Sequence, residues 1–176
     1  MSDEAAAGEG SVRIRDFDPR TDLDGLRACL VALQDREHEL DPRLPPGAAI
    51  AGAYVPDLLE RCRRHAGRIV VAEVDGQVAG YAAVLTRMRS ENLWDGDLEF
   101  ALLADLAVRD GYRRRGIGRA LLAAAESHAR ACGARCMRLG VLARNREAME
   151  LYRAADFQDY GIQLEKRLEP PPDAAP

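Results

Sequence analysis

The sequence predicts an α/β domain of the α+β kind, with a mixed, mostly antiparallel central sheet flanked by helices. Two observations predict this class. Apolar residues alternate at strand spacing in short segments and recur at helical spacing in longer ones, in the order β-α-α-β-β-β-α-β-α-β. The longest apolar strand is also followed by a glycine-containing loop, which leads directly into a helix.

The first half of the domain holds a strand, two consecutive helices and a hairpin. Pro56 falls inside the second helix, where it either splits the helix or marks a first turn. Asp75-Gly76 is a strong signal for a two-residue hairpin turn. The predicted elements are a strand at Val12–Phe17, a helix through Leu23, Leu26, Leu30 and Leu33 to about Leu40, a helix at Ala48–Arg64, and strands at Arg68–Val74 and Gln77–Thr86.

The second half alternates strands and helices after a polar loop. Gly133 ends the longer of its two helices, as expected for a glycine after the last helical turn. The predicted elements are a loop at Arg89–Gly96, a strand at Asp97–Val108, a helix at Ile117–Cys132, a strand at Cys136–Leu142, a helix at Asn145–Ala155 and a final extended segment at Phe157–Leu168.

Length and composition restrict the function classes. The 176 residues suit one domain, predicted over residues 11–168, with disordered tails at 1–10 and 169–176. The net charge of −4 disfavours nucleic-acid binding, which depends on neutralising phosphates. No apolar run approaches the roughly 18 residues of a membrane span. The four cysteines lack metal-ligand spacing, so buried free thiols in a reducing cytoplasm and no metal site are expected.

A phosphate-binding site is predicted where the long strand ends. The strand closes with Asp105 to Val108, and a loop with Arg113–Arg115 follows it. Gly116 and Gly118 allow the backbone to approach a ligand closely. The helix that begins near Ile117 offers unpaired N–H groups and the positive end of its dipole. Together these features favour an anionic ligand.

Two common nucleotide motifs do not fit this loop. Ile117 and Gly118 stand where a P-loop needs Lys and Ser or Thr, which argues against phosphoryl transfer. Leu121 stands where the dinucleotide fingerprint needs its third glycine. What remains is Arg113-x-x-Gly116-x-Gly118 between a strand and a helix.

A second motif lies on the last predicted helix. It reads Asn145-x-x-Ala148-x-x-x-Tyr152-x-x-x-Asp156-Phe157. Seven helical residues return to nearly the same direction, so Asn145 and Tyr152 share one face about 10 Å apart. A polar group and a phenol at that separation can contact two points of one extended ligand.

Together the two motifs resemble those of the GCN5-related N-acetyltransferase (GNAT) family, over roughly residues 12–168. The family usually has Gly where this chain has Asp156, although Asp tolerates the left-handed conformation better than most residues. The resemblance implies a GNAT-like acyl-CoA N-acyltransferase fold. It also implies an acetyl-CoA-dependent enzyme that transfers acetyl to a primary amine of a small molecule or peptide, by direct attack in a ternary complex.

The resemblance also implies the site residues. Val108 N–H would polarise the thioester carbonyl, Asn145 would hold the pantetheine arm and Tyr152 would protonate the departing thiolate. The arm would run between the strands Asp97–Val108 and Met137–Leu142, which splay apart in the family. The residues expected to bind acetyl-CoA are Leu106, Ala107, Val108, Arg113, Arg114, Arg115, Gly116, Ile117, Gly118, Arg119 and Asn145.

The sequence leaves several candidates for the general base, of which Asp105 is favoured. Alternation puts Glu99, Ala101, Leu103, Asp105 and Ala107 on one strand face unless a bulge changes the parity. Many family members carry an acid one position before Asp105, where this chain has Ala104. The alternatives to Asp105 are Glu99 acting through water, or an acid of the first helix: Asp35, Glu37 or Glu39.

Two other functions compete with catalysis. One is a non-catalytic acyl-CoA-binding or sensing module with the same loop. The other is RNA binding through Arg113–Arg115, which the net negative charge disfavours. The family resemblance makes a homodimer plausible, and the amine acceptor is not identified by any motif.

Overall fold

In a computed structural model, residues 11–90 and 96–168 are described. The two predicted tails, 1–10 and 169–176, and residues 91–95 of the predicted loop lie outside this range. The elements are β1 (Arg13–Asp16), α1 (Leu23–Leu40), α2 (Gly47–Arg64), β2 (Arg68–Val74), β3 (Gln77–Arg89), β4 (Glu99–Val108), a 3-10 turn (Asp110–Tyr112), α3 (Ile117–Ala131), β5 (Met137–Arg138) and α4 (Arg146–Arg153).

Within the described residues the strands form one five-stranded sheet in the order β1-β2-β3-β4-β5. The first three pairings are antiparallel, and β5 runs parallel to β4. The predicted mixed, mostly antiparallel sheet with flanking helices is therefore confirmed. Asp75 and Gly76 adopt φ values of 51° and 76°, which form the expected tight turn between β2 and β3.

Each face of the sheet carries a hydrophobic core. Ile69 and Val71 of β2 pack with α1 and α2 on one face, whereas Val70 and Ala72 pack with α3 on the other. This alternation follows from the two-residue period of a strand. The sheet is thus covered on both sides, and ligand access is left to its edges and ends.

Helix α2 is continuous from Gly47 to Arg64 with Pro56 inside it. Both readings of Pro56 from the sequence are therefore wrong, because the proline neither splits the helix nor occupies its first turn. The helix stays docked through Ala51, Val55 and Leu58, which are at most 3% exposed. Their burial offsets the loss of one backbone hydrogen bond.

Strand β4 contains a bulge that changes which side chains face which core. Asp105 pairs with Ala83 and Leu103 with Val84, so Ala104 is an extra residue in the ladder. Leu103 accordingly packs on the α3 face, whereas Ala107 packs on the face of α1 and α2. The exception allowed for a bulge therefore applies to β4: Asp105 faces away from the side of the sheet that carries Leu103.

The last two predicted extended segments differ from the structure. Strand β5 has only two residues rather than Cys136–Leu142, because the chain leaves β4 after the pair Leu102–Arg138. Residues 158–168 have no strand structure, so the predicted final extended segment adds no strand to the sheet. A strand needs a hydrogen-bonded neighbour, and in the described residues this segment pairs with none.

Candidate active site

A cavity of about 520 Å³ lies between the end of β4, the start of α3 and helix α4. We call it the glycine-loop cavity. Helix α1 closes one side of it with Leu33 and Arg36. Its other lining residues are Leu106, Ala107, Val108, Tyr112, Arg113, Arg114, Gly116, Ile117, Gly118, Arg119, Asn145, Glu147, Ala148, Glu150, Leu151, Tyr152 and Ala154.

The backbone of the loop is shaped for close approach by a ligand. Gly116 caps helix α3 with φ of 77°, and Arg114 also lies in the left-handed region with φ of 63°. Left-handed residues within such a turn recur in loops that bind anions through backbone N–H groups. A Cβ on Gly118 would lie 3.3 Å from Leu151 Cδ2, inside the cavity wall. The fifteen-residue helix α3 directs its N-terminus and dipole into this space.

The four predicted arginines occupy different positions. Arg114 and Arg119 are exposed and line the cavity. Arg113 also lines it but braces the loop, since its Nε donates to the Val108 carbonyl at 3.1 Å and its guanidinium pairs with Asp110 at 3.0 Å. Arg115 does not line the cavity, and its guanidinium lies 6.0 Å from the ring centroid of Tyr112. Arg114 and Arg119 are thus the cations best placed for an anionic ligand.

Strand β4 presents unpaired backbone to this cavity. Its pairing with β5 stops at Leu102, so β4 has no strand neighbour on that side from Leu103 onwards in the described chain. Arg109 N–H donates to the Ala79 carbonyl of β3 at 2.9 Å. Because alternate residues of an antiparallel strand turn to opposite neighbours, Val108 N–H faces the gap instead. The gap lies where the sequence predicts two strands to splay apart, although β5 itself ends at Arg138.

Helix α4 brings its two motif residues to the same wall. Asn145 caps the helix, with its side-chain oxygen accepting a 3.2 Å bond from Ala148 N–H, so its amide NH₂ is the group left for a ligand. Tyr152 packs edge-on against Phe157 with ring centroids 5.8 Å apart. Burial raises the pKa of Tyr152 to about 12, helped by the charges of Glu37 and Asp105. Asp156 has φ of 64°, the left-handed conformation expected there.

A second cavity, of about 250 Å³, adjoins the first. We call it the acidic cavity. The two cavities meet along a shared wall. The residues that line both are Leu33, Leu106, Asn145, Ala148 and Tyr152. Its lining residues are Leu30, Leu33, Gln34, Glu37, Tyr54, Leu103, Ala104, Asp105, Leu106, Gly140, Val141, Asn145, Ala148 and Tyr152.

Asp105 is the most deeply buried acid of this wall, with 8% of its surface exposed. The Tyr54 hydroxyl donates to its Oδ1 at 2.8 Å, and its Oδ2 has no hydrogen-bond partner of good geometry in the described residues. Burial raises the pKa of Asp105 above the usual carboxyl range, and the neighbouring hydroxyls of Tyr54 and Tyr81 oppose part of that increase. Asp105 therefore accepts a proton more readily than an exposed carboxylate does.

Of the three acids proposed from the first helix, only Glu37 lines the acidic cavity. Burial raises the pKa of Glu37, and the charge of Asp105 adds to the effect. Asp35 accepts a 2.7 Å bond from Gly47 N–H, and Glu39 pairs with Arg36 at 2.8 Å. Glu99 lies at the opposite end of β4, pairs with Arg89 at 2.7 Å and lines neither cavity. The structure thus brings Asp105, Glu37 and Tyr152 together and leaves Glu99 apart.

Tyr54 belongs to this wall although no sequence motif indicates it. The one available signal is a hydroxyl on the buried side of α2, one turn from Ala51 and Leu58. Its contact with Asp105 spans 51 positions of sequence. The residues around Tyr54 in the sequence therefore could not identify Asp105 as its partner.

The arrangement has counterparts among known proteins. The sequence pattern of the acetyltransferase (GNAT) family matches residues 32–157. The chain belongs to this family. The matched region covers every element from α2 to α4, and every lining residue of the two cavities except Leu30.

Curated relatives in Bacillus subtilis (strain 168) are also similar to this GNAT chain. It is 29% identical over 102 residues to the uncharacterized N-acetyltransferase YhfO, covering 58% of this chain and 66% of that protein. The chain is 34% identical over 68 residues to the uncharacterized N-acetyltransferase YycN, and the match covers 39% of this chain and 44% of that protein. The chain spans less than two thirds of the length of either relative.

A solved structure shares the fold over nearly the whole chain. Aminoglycoside N-acetyltransferase AAC(6')-Iy in complex with CoA aligns with a TM-score of 0.67 and 21% identity, covering 93% of this chain and 99% of that one. This likeness extends the GNAT fold beyond the matched family region. None of the helices in residues 11–90 and 96–168 is long and apolar enough to cross a membrane.

Proposed function

We propose that this protein is an acetyl-CoA-dependent N-acetyltransferase that acetylates a primary amine of a small molecule or peptide. The observation that carries the proposal is the junction of the two cavities at Tyr152 and Asn145. One cavity ends in a helix N-terminus with exposed arginines, and the other contains a buried carboxylate. An acyl donor and an amine can therefore meet at one point.

The glycine-loop cavity suits acetyl-CoA as the cosubstrate. Backbone N–H groups at the start of α3, together with Arg114 and Arg119, would hold the pyrophosphate. The open side of β4 and the Asn145 amide would hold the pantetheine arm. Val108 N–H would polarise the thioester carbonyl, since it faces the gap beside β4. Leu106, Ala107, Gly116, Ile117 and Gly118 would form the walls, with Arg113 bracing them and Arg115 outside.

Two side chains supply the proton transfers that the proposed reaction needs. The amine nitrogen attacks the thioester carbonyl carbon while Asp105 takes the proton that the amine loses. The C–N bond forms, the C–S bond breaks, and Tyr152 gives its proton to the sulfur. Both side chains recover their starting protonation by exchange with solvent. Glu99 has no part in this proposal because it lines neither cavity.

The assay is release of free thiol from acetyl-CoA in the presence of a panel of amines. We expect acceptor-dependent thiol release and a product heavier by one acetyl group. Coenzyme A binding without thiol release across a broad panel would instead support a non-catalytic acyl-CoA-binding or sensing module. Binding of RNA that persists at saturating acetyl-CoA and weakens steeply with salt would support the third hypothesis.

We also propose that the protein forms a homodimer in the cytoplasm. Tyr160, Ile162 and Leu164 alternate and expose 69%, 78% and 89% of their surfaces. The centroid of the Tyr160 ring lies 4.0 Å from the guanidinium carbon of Arg138 on β5, which is one of the two edge strands of the described sheet. An alternating apolar segment beside a sheet edge suits pairing with a second copy. All four cysteines are free thiols, which fits a reducing compartment. Only Cys29 and Cys62 are buried, so the expectation of burial is wrong for Cys132 and Cys136.

A further inference from the structure

The acidic cavity contains two carboxyl groups and no basic side chain among its described lining residues. Glu37 comes from α1 and Asp105 from β4, so two separate elements contribute negative charge to one space. Leu30, Leu33 and Leu103 supply apolar surface beside them. A cavity of this kind suits a ligand with cationic groups on a hydrocarbon frame.

Both carboxyl groups lack a cationic partner in direct contact. Glu37 is half-buried and makes no ion pair in the described residues. Asp105 is 92% buried, by its 8% exposure, and its Oδ2 has no hydrogen-bond partner there. Arg61 on α2 partly offsets the charge of Asp105, but it does not line the cavity and is 3.8 Å from Asp57. Buried negative charge without a counter-charge is unfavourable, so a cation entering this space would be stabilised.

The surrounding groups do not remove this charge. Tyr54 and Tyr81 approach Asp105, and Tyr152 lies on the side shared with the glycine-loop cavity. The pKa of each phenol is raised, first by burial, so all three are neutral at physiological pH. They can donate hydrogen bonds to a carboxylate, but none supplies a positive charge.

We propose that the acceptor is a small diamine, with its reacting nitrogen beside Asp105 and its second, protonated nitrogen bound to the Glu37 carboxylate. This inference rests on the proposed acetyl transfer and specifies its substrate class. The cavity volume of about 250 Å³ equals roughly eight water molecules at about 30 Å³ each. That space suits a short hydrocarbon chain or one ring carrying two amines.

The test compares diamines with monoamines of matched length in the thiol-release assay. 1,4-Diaminobutane is paired with 1-aminobutane, and 1,5-diaminopentane with 1-aminopentane. For at least one pair we expect kcat/KM to favour the diamine by about tenfold or more, the effect of one desolvated charge contact. Equal kcat/KM values in both pairs would overturn the proposal.

Two variants test whether Glu37 carries the preference. Glu37→Gln should reduce the ratio of diamine to monoamine kcat/KM to near one. Glu60→Gln removes an equal charge from an exposed position on α2, where Glu60 pairs with Arg63 at 2.8 Å, and should keep the ratio. A preference that survives Glu37→Gln would overturn the assignment of the second nitrogen to Glu37.

A binding measurement separates this inference from the proposed function. Thermal unfolding with coenzyme A present is followed as each diamine or monoamine is added. Stabilisation by a diamine that Glu37→Gln abolishes, with no thiol release from any amine, would support diamine binding and overturn acetyl transfer. Thiol release with monoamines and peptides, but no selective stabilisation by diamines, would support acetyl transfer and overturn the diamine proposal.

Discussion

The hydroxyl of Tyr54 donates a 2.8 Å hydrogen bond to Oδ1 of Asp105, joining helix α2 to strand β4 at the wall of the acidic cavity. This bond favours the ionised carboxylate and lowers its pKa, against the larger effect of burial. The ability of Asp105 to accept a proton is therefore set by a residue from a distant part of the chain.

Tyr54→Phe removes this hydrogen bond and should raise the pKa of Asp105 further. If Asp105 is the base, the acidic limb of the kcat/KM profile moves to higher pH, and activity is lost more below neutral pH than above it. The measurement is the pH dependence of kcat/KM for the variant and the wild type. An unmoved limb would show that Asp105 is not the titrating group.

Asp105→Asn should lower kcat by about 10²- to 10⁴-fold, the usual contribution of a general base. The same change should stabilise the fold at neutral pH. The pKa of Asp105 is higher in the folded protein, so its favourable contribution is present at low pH and is lost as pH rises through that value.

The thermal measurement for Asp105→Asn is Tm as a function of pH. At neutral pH we expect an increase of a few °C, since 1 kcal/mol shifts Tm by roughly 2–4 °C in a domain of this size. Below the ordinary carboxyl range both side chains are neutral, and the difference should vanish. A lower Tm for the variant at neutral pH would mean that the buried carboxylate stabilises the fold.

Tyr152→Phe should lower kcat by about 10²-fold or more while coenzyme A binding stays nearly intact. The phenyl ring preserves the edge-on packing against Phe157, so the fold should be retained. The measurements are steady-state turnover and coenzyme A affinity by calorimetry. Tyr160→Phe, at a tyrosine with 69% exposure, is the matched control and should turn over like the wild type. Unchanged turnover in Tyr152→Phe would exclude Tyr152 as the acid.

Gly118→Glu should abolish the stabilisation of the protein by coenzyme A. The new side chain would start 3.3 Å from Leu151 Cδ2 and bring negative charge to the expected pyrophosphate position. For the wild type, ligand at about 100 times its Kd should raise Tm by roughly 5–10 °C. Gly52→Glu places the same charge on α2, where no atom beyond the local helix backbone and the adjacent residues lies within 4 Å of the new Cβ, and should keep the full shift. A retained shift in Gly118→Glu would locate the pyrophosphate elsewhere.

Replacing Ile162 and Leu164 by Ser should convert a dimer into monomers. These side chains are 78% and 89% exposed in the single chain, so their polar replacement should leave the monomer fold unchanged. Sedimentation velocity at matched concentrations measures the change, and circular dichroism checks the fold. A wild-type protein that sediments as a monomer at high concentration would overturn the proposed dimer.

The local features of the site could be predicted because each depends on a few consecutive residues. Gly116 and Gly118 indicated a tight loop before α3, and the seven-residue spacing of Asn145 and Tyr152 indicated one helix face. The hairpin at Asp75 and the left-handed turn at Asp156 follow from the same short-range sterics. The antiparallel character of the sheet followed from the order of the elements.

Only the tertiary structure determines which residues form the wall of the acidic cavity. The bulge at Ala104 depends on the register between β3 and β4, and this register determines whether Asp105 faces α1 and α2 or α3. Its contact with Tyr54 depends on how α2 packs against the sheet. The periodicity of β4 alone does not show where its pairing with β3 leaves one residue unpaired. The sequence by itself determined the glycine loop and the motif spacing, because both depend on residues close together in the chain. Long-range packing determined which carboxylates share a cavity.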